Sequence, residues 1–462
     1  MKRLLAGGLL MLIGCSSASI NPFSGSSFNI KPYSETELSN GLKVLLVEDK
    51  SLPYTSFSMM FGTGAAHDPN QIPGLTNFVG DMFKKGTQKS SAMQIVDRLE
   101  QLGASLEIST GYDYTEVSAS GLSFHRETIL SILAELITEA NFADSEIQRL
   151  KKQTIDGIKK ISEKPDSFAD MSFGELLYNN HPYGHPVMGT VSGIGGIKQK
   201  HVVKHYLQYF RPNNAVLAVV GNYDSNIIEV LEKSFARWKP RNIDDTKYPT
   251  LNPWQGIKLE VIDKADLVQT QVRIGHVGIK RDNPDFLKLR IANTILGSGF
   301  TSRLMQSVRV KAGLTYGISA AFDARKDFGP FIVAASTRND KVGELIRKTL
   351  GEVEKFRDEG VTEQEVNDAK ALLIGNFPRS IETAERLAFN LLTLRLYKIS
   401  DYYLTDFVEN VRGISAEDIN EAIRKYYQPK NLKILVFSNA NAVKSQLSAL
   451  GEVTVRSYST KR

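Results

Sequence analysis

The stretch 209-YFRPNNAVLAVVGN-222 returns later in the same chain as 426-YYQPKNLKILVFSN-439. Tyr209, Pro212 and Asn214 match Tyr426, Pro429 and Asn431, and an apolar run follows at the same place in both. Each copy is preceded by a helical pattern, 200-KHVVKHYLQ-208 in one and 416-AEDINEAIRK-425 in the other. Proline ends each helix in a turn, and the apolar run beyond it reads as a buried strand. A helix, a proline turn and a strand thus occur twice, in a chain of 462 residues that is too long for one ordinary core.

Working outward, both halves open with strand-like runs. These are 41-GLKVLLVED-49 and 55-TSFSMMFGTG-64 in the first, and 257-IKLEVID-263 and 269-QTQVRIGHVG-278 in the second. Each half then carries helical patterns and a return strand, 114-YTEVSASG-121 or 330-PFIVAAST-337. The expected fold is α+β: two homologous domains, each a mostly antiparallel sheet with helices packed on one side. The segment 236-ARWKPRNIDDTKYPTLNPWQG-256, with three prolines and little periodicity, reads as a linker. It sets the two domains at about 29–235 and 257–450.

With 42% hydrophobic and 23% charged residues, the composition is that of a globular protein, neither disordered nor membrane-spanning throughout. The net charge of +6 comes from interspersed Lys and Arg. Pairs such as Lys151-Lys152 and Lys159-Lys160 read as solvated helix faces, so no nucleic-acid partner is expected. In 1-MKRLLAGGLLMLIGCSS-17, two positive charges precede an apolar run too short to span a bilayer and built like a secretory signal. Cys15 is the only cysteine and closes that run directly after Gly14. Its place resembles a bacterial lipobox, with cleavage before Cys15 and acylation of the thiol; the other reading is a plain signal peptide with a chance cysteine. Cleavage would remove Lys2 and Arg3 and take the charge from +6 to +4. Residues 1–15 are then leader and lipobox, and the Ser-rich 16–28 a tether. Ser16 rather than an aspartate follows the cysteine, which favours an outer-membrane lipoprotein facing the periplasm.

The seven histidines are His67, His125, His181, His185, His201, His205 and His276. Only 201-HVVKH-205 has i,i+4 spacing on an expected helix, and with no carboxylate base inside it reads as a surface pair. Two prolines in 181-HPYGHP-186 make it a loop that shapes packing. No Gly-x-Ser-x-Gly elbow or phosphate loop occurs in the sequence. In 74-GLTNFVGDMFKKGT-87, Leu75, Phe78 and Met82 form one apolar helical face, and Asn77 and Asp81 stand a turn apart on another. Between them Gly80 costs roughly 1 kcal/mol of helix propensity relative to alanine.

Six stretches together carry a resemblance: 62-GTGAAHDP-69, 74-GLTNFVGDMFKKGT-87, 102-LGASLEISTGYDYT-115, 181-HPYGHPVMGT-190, 211-RPNNAVLAVVGN-222 and 302-SRLMQSVRVKAGLTYGI-318. They occur in the order found in the insulinase/pitrilysin-type zinc peptidases, and from about residue 29 to 450 the chain resembles their short two-domain bacterial form. Catalytic members have His-x-x-Glu-His on the helix that here carries Asn77, Gly80 and Asp81. Their third ligand, a glutamate, falls in 156-DGIKKISEKP-165, where aligning on Pro165 puts Gly157. Every expected ligand is replaced, so the resemblance implies no catalytic residue, metal or other cofactor in this chain. On the family's substrate strand, Glu107-Ile108 stands where enzymes have Asn-Ala. The second half keeps the spacing of the family's Arg/Tyr pair as Arg309 and Tyr316, which implies contact with substrate backbone. Taken singly, a capping arginine and a core tyrosine would be ordinary. The short loop 296-LGSGFTSRL-304 lacks the long glycine-rich insertion of the mitochondrial non-catalytic subunit.

A chain with the Arg/Tyr half of the site and without the zinc half resembles the non-catalytic member of the family's two-subunit enzymes. The expected function is a lipid-anchored subunit supplying Arg309 and Tyr316 in trans to a zinc-containing His-x-x-Glu-His homologue that hydrolyses unstructured peptides. Proteolysis is then expected of the heteromeric assembly only. The alternative is a peptide-binding or scaffold protein on the same fold, with an autonomous metallopeptidase ranking last.

Overall fold

Two six-stranded sheets repeat one another. In the computed structural model, which describes residues 30–244, 246–251 and 254–459, the first sheet contains β1 (Ser34–Glu37), β2 (Lys43–Glu48), β3 (Tyr54–Phe61), β4 (Ser105–Thr110), β5 (Thr115–Leu122) and β6 (Ala215–Gly221). Its order is β1-β2-β6-β3-β5-β4. The second contains β7 (Lys258–Asp263), β8 (Gln269–Val277), β9 (Ile318–Phe322), β10 (Pro330–Arg338), β11 (Lys433–Ser438) and β12 (Val453–Ser457), in the order β12-β7-β11-β8-β10-β9. The repeated strands predicted from 209–222 and 426–439 are β6 and β11, each inserted parallel to its half's first long strand and antiparallel to the second. The copies differ at one edge, where β1 pairs antiparallel with β2 but β12 pairs parallel with β7. The α+β expectation therefore holds. The leader, Cys15 and the 16–28 tether lie outside the described residues.

The helices used below are α1 (Leu75–Met82), α2 (Ala92–Gln101), α3 (Arg126–Thr138), α4 (Asp144–Ser162), α5 (Pro165–Tyr178), α6 (Gln199–Tyr209) and α7 (Ala384–Leu396). Period-2 patterning aims Phe57, Met59 and Phe61 of β3 and Leu217 and Val219 of β6 at one face of the first sheet. There they form a single core with Leu75, Phe78 and Met82 of α1, Ile129 and Leu133 of α3, and Ile147 and Ile158 of α4.

Strands β3 and β6 are buried on both faces, and what lies on the second face comes from the other half. Helix α7, from the second half, packs on β6, β3 and β2; α5, from the first half, packs on β8 and β11. The second contact is apolar, joining Phe168, Phe173 and Leu177 of α5 to Ile262, Leu435 and Phe437. It also has a polar clasp. Arg273 of β8, nearly inaccessible, donates to Asp170 Oδ1 and Asp166 Oδ1 at 2.5 Å each. Each sheet is thus closed by one helix of the opposite half.

Candidate functional site

Helix α1 starts where the chain before it folds back. Gly74 caps it with φ +97°, a left-handed conformation suited to glycine, and a Cβ there would stand 2.7 Å from Gly189 Cα. Asp68 closes the same end: its carboxylate accepts from Gly74 N–H at 2.6 Å, Thr76 N–H at 2.7 Å and the Thr76 hydroxyl at 2.7 Å. Burial pushes this carboxyl up to about 6, against the pull of His185 nearby.

Gly80 faces the edge strand of the first sheet. A Cβ built there would meet Thr110 Oγ1 at 3.3 Å, Ile108 Cγ2 at 3.4 Å and Thr115 Cγ2 at 3.5 Å. The absent side chain lets α1 press onto the end of β4, the edge strand of the first sheet. With glycine at this position the helix offers no carboxylate to activate a water.

The remaining expected positions are as poor in donors. Asn77 Nδ2 lies 3.3 Å from Asp81 Oδ2, a long contact within one helical turn. Burial raises the Asp81 carboxyl, with Lys84 and Lys85 opposing, so its charge is costly where it stands. Gly157 lies on α4, and a Cβ there would meet only Met188 Cε, at 3.6 Å. One amide, one carboxylate and two glycines do not fit zinc, which takes three or four imidazole, thiolate or carboxylate ligands. Among the described residues, no group of three or more His, Cys, Asp or Glu is placed to hold a metal ion.

The histidine pair corrects the sequence reading in part. His205 is no surface residue: it is buried, its Nε2 is 2.8 Å from Thr76 Oγ1, and its ring packs on Tyr209. Burial pulls it down to about 3, with His67 nearby adding to the fall. His67 is half-buried, and loss of solvation pulls it down to about 4, with Nε2 2.7 Å from Thr246 Oγ1. A chain of polar groups, His205–Thr76–Asp68, therefore staples α6 to the start of α1. A histidine one turn before Tyr209 on the α6 face that also carries buried Val202 was the available signal.

A second buried network joins the halves. Asp113 accepts from Tyr183 Oη at 2.6 Å, Lys326 N–H at 2.8 Å and Tyr397 Oη at 3.0 Å. His181 Nε2 lies 3.1 Å from Asp327 Oδ2, and Arg325 stacks on Tyr112 at 3.8 Å. The loop 181–186 does shape packing, as expected, and the packing it shapes is between the halves.

Arg309 and Tyr316 occupy the second half, on the helical turn Met305–Lys311 and just before β9. Arg309 is half-buried, its guanidinium 5.3 Å from the Phe300 ring centroid. Tyr316 is 87% exposed, so the core-tyrosine role does not apply. The Thr315 hydroxyl donates to Gly317 C=O at 2.8 Å and accepts Gly317 N–H at 3.1 Å, a tight turn that leaves the phenol outside. The described polar contacts of Asn77 and Asp81 stay within the first half.

Comparison with known proteins agrees with this geometry. The family profile described as "Insulinase (Peptidase family M16)" matches residues 43–191, and the one described as "Peptidase M16 inactive domain" matches residues 196–373. The "Uncharacterized zinc protease YmxG" of Bacillus subtilis is 24% identical over 413 residues, 87% of this chain and 97% of its own length. The "Non-peptidase homolog YmxG" of Helicobacter pylori is 26% identical over 414 residues, 86% of this chain and 91% of its own. A crystal structure from Pseudomonas fluorescens, described as a peptidase M16 inactive domain, superposes with a TM-score of 0.81 at 25% identity, covering 88% of this chain and 97% of that one. A protease structure from Helicobacter pylori superposes at 0.82 with 19% identity, covering 88% and 100%. By both profile matches and the shared two-sheet fold, this chain belongs to the insulinase family of peptidases, M16.

Proposed function

We propose that this chain is the non-catalytic subunit of a heteromeric metallopeptidase. It supplies Arg309 and Tyr316 in trans to a homologous partner that carries the metal and the base. The observation that carries this reading is the contrast between the halves. The first has Asn77, Gly80, Asp81 and Gly157 where ligands and base would stand, while the second holds Tyr316 out in solvent and Arg309 half-buried on the helical turn before it. A phenol and a guanidinium donate to a peptide carbonyl and to the oxyanion that develops on it. Edge strands β4 and β9 each leave one side unpaired, which suits extended, unstructured peptides rather than folded substrates. The leader supports acylation of Cys15 and attachment to the outer membrane, facing the periplasm.

The test is cleavage of a quenched peptide library by this chain, by a His-x-x-Glu-His homologue, and by the two mixed, with metal content measured for each. Only the mixture cleaves, and Arg309→Ala with Tyr316→Phe removes that cleavage without unfolding the chain. A mixture no faster than the homologue alone overturns the proposal. It would leave a peptide-binding or scaffold role, which the name of the Helicobacter pylori relative, a non-peptidase homologue, favours as second reading.

A further inference from the structure

One end of the first sheet carries an apolar knob. The β2–β3 connection, the end of β5 and the turn after β6 meet there: Ser123 N–H donates to Pro53 C=O and Asp49 N–H to Gly221 C=O, both at 3.0 Å. From this end project Leu52, Leu122 and Phe124, which are 66%, 52% and 88% exposed. Most charges around them are paired: Lys50 with Glu48 at 2.7 Å, Arg126 with Asp224, and Lys31 with Asp49, while Glu127 is exposed and in no described ion pair. The surface is therefore an apolar tip ringed mostly by paired charges.

The described chain enters at this same end. Lys31 is tied to Asp49, and β1 runs antiparallel to β2 with Ser34 opposite Leu46. Residues 16–29 separate Cys15 from this point. At about 3.5 Å per residue they reach no farther than roughly 50 Å in any conformation. An acylated Cys15, the reading on which this inference rests, would keep this end of the first sheet within that distance of the bilayer. We propose that Leu52, Leu122 and Phe124 insert into the interfacial layer of a phospholipid bilayer and orient the chain on the membrane. Among the described residues no helix is long and apolar enough to cross a membrane, and the contact is interfacial. Because most of the surrounding charges are paired, insertion is driven by apolar burial and needs no anionic lipid.

The test uses full-length chain purified from cell envelopes and reconstituted into phosphatidylcholine vesicles, with or without brominated acyl chains as quencher. It compares Phe124→Trp with Met93→Trp, after subtracting the parent emission of Trp238 and Trp254. Met93 is exposed at the start of α2, whose far end leads into β4 beside the knob, so it stands about 12 Å back along the helix. Bromination lowers the emission of the Phe124→Trp chain about twofold and leaves the Met93→Trp chain unchanged, at low or high salt. Equal quenching of both, or quenching of neither, overturns the inference. Mass spectrometry of the mature N-terminal peptide separates the two readings. Acylation without quenching at position 124 refutes membrane docking and leaves the anchor standing; quenching without acylation does the reverse.

Discussion

Replacing Phe173 with alanine tests whether the halves are locked together by exchanged helices. Phe173 lies in α5, buried, and it touches β8 so closely that a Cβ on Gly275 would stand 3.2 Å from its Cζ. Phe168, one turn and a half earlier, packs at a tilt against Phe437 of β11 with centroids 4.7 Å apart. Transfer of a buried phenyl contributes about 1.5–3 kcal/mol. The void adds to this because α5 cannot slump inward: Arg273 grips Asp166 and Asp170 near its start, and Tyr178 Oη donates to Phe328 C=O at 2.8 Å at its end. The expected loss is about 3–5 kcal/mol. Hydrogen exchange read by mass spectrometry locates it: protection falls in β8 and β11, although the substitution is in the first half. Faster exchange confined to α4 and α5, with the second sheet still protected, would refute the reasoning.

Asp113→Ala leaves two tyrosine hydroxyls and one amide buried without their acceptor, and about 3 kcal/mol or more of stability is lost in urea titrations. Asp113→Asn, which keeps the shape, loses less. Stability also falls as pH drops from about 6.5 to 4. His67, His205 and His276 are held neutral in the fold, at about 4, 3 and 4, so in that window the unfolded chain binds the extra protons. Asp68, raised to about 6, works the other way, as do Asp81, Glu116 and Glu175, which burial also raises, since a folded carboxyl of this kind takes up its proton first as pH falls. His205→Gln removes one histidine titration and flattens the acid limb of the stability curve; an unchanged limb counts against this assignment.

The sheets were legible because β2, β3, β6, β7, β8, β10 and β11 are apolar runs of strand length bounded by turn residues. The outer strands were harder. β1 is fully exposed, with sequence SETE, and β12 is largely so; edge strands bury too little to leave a pattern. Asn77, Gly80, Asp81 and Gly157 are identified through the family resemblance, which supplies the ligand pattern that they replace. The close approach of Gly80 to Ile108 and Thr110 is not legible, since it depends on how far α1 approaches β4. The network of His205, Thr76 and Asp68 escaped for a related reason. Its members are distant in sequence, and a histidine pair at i,i+4 looks the same whether one ring faces water or a buried threonine.

Because α5 and α7 trade places, neither half has a complete cover for its own sheet. Pulling the halves apart would wet two apolar faces at once, so a cut within 236–256 would leave the two pieces clinging together instead of releasing two free domains. The arrangement is that of a two-fold pair that exchanges one helix, written into a single polypeptide whose linker raises the local concentration of each piece for the other.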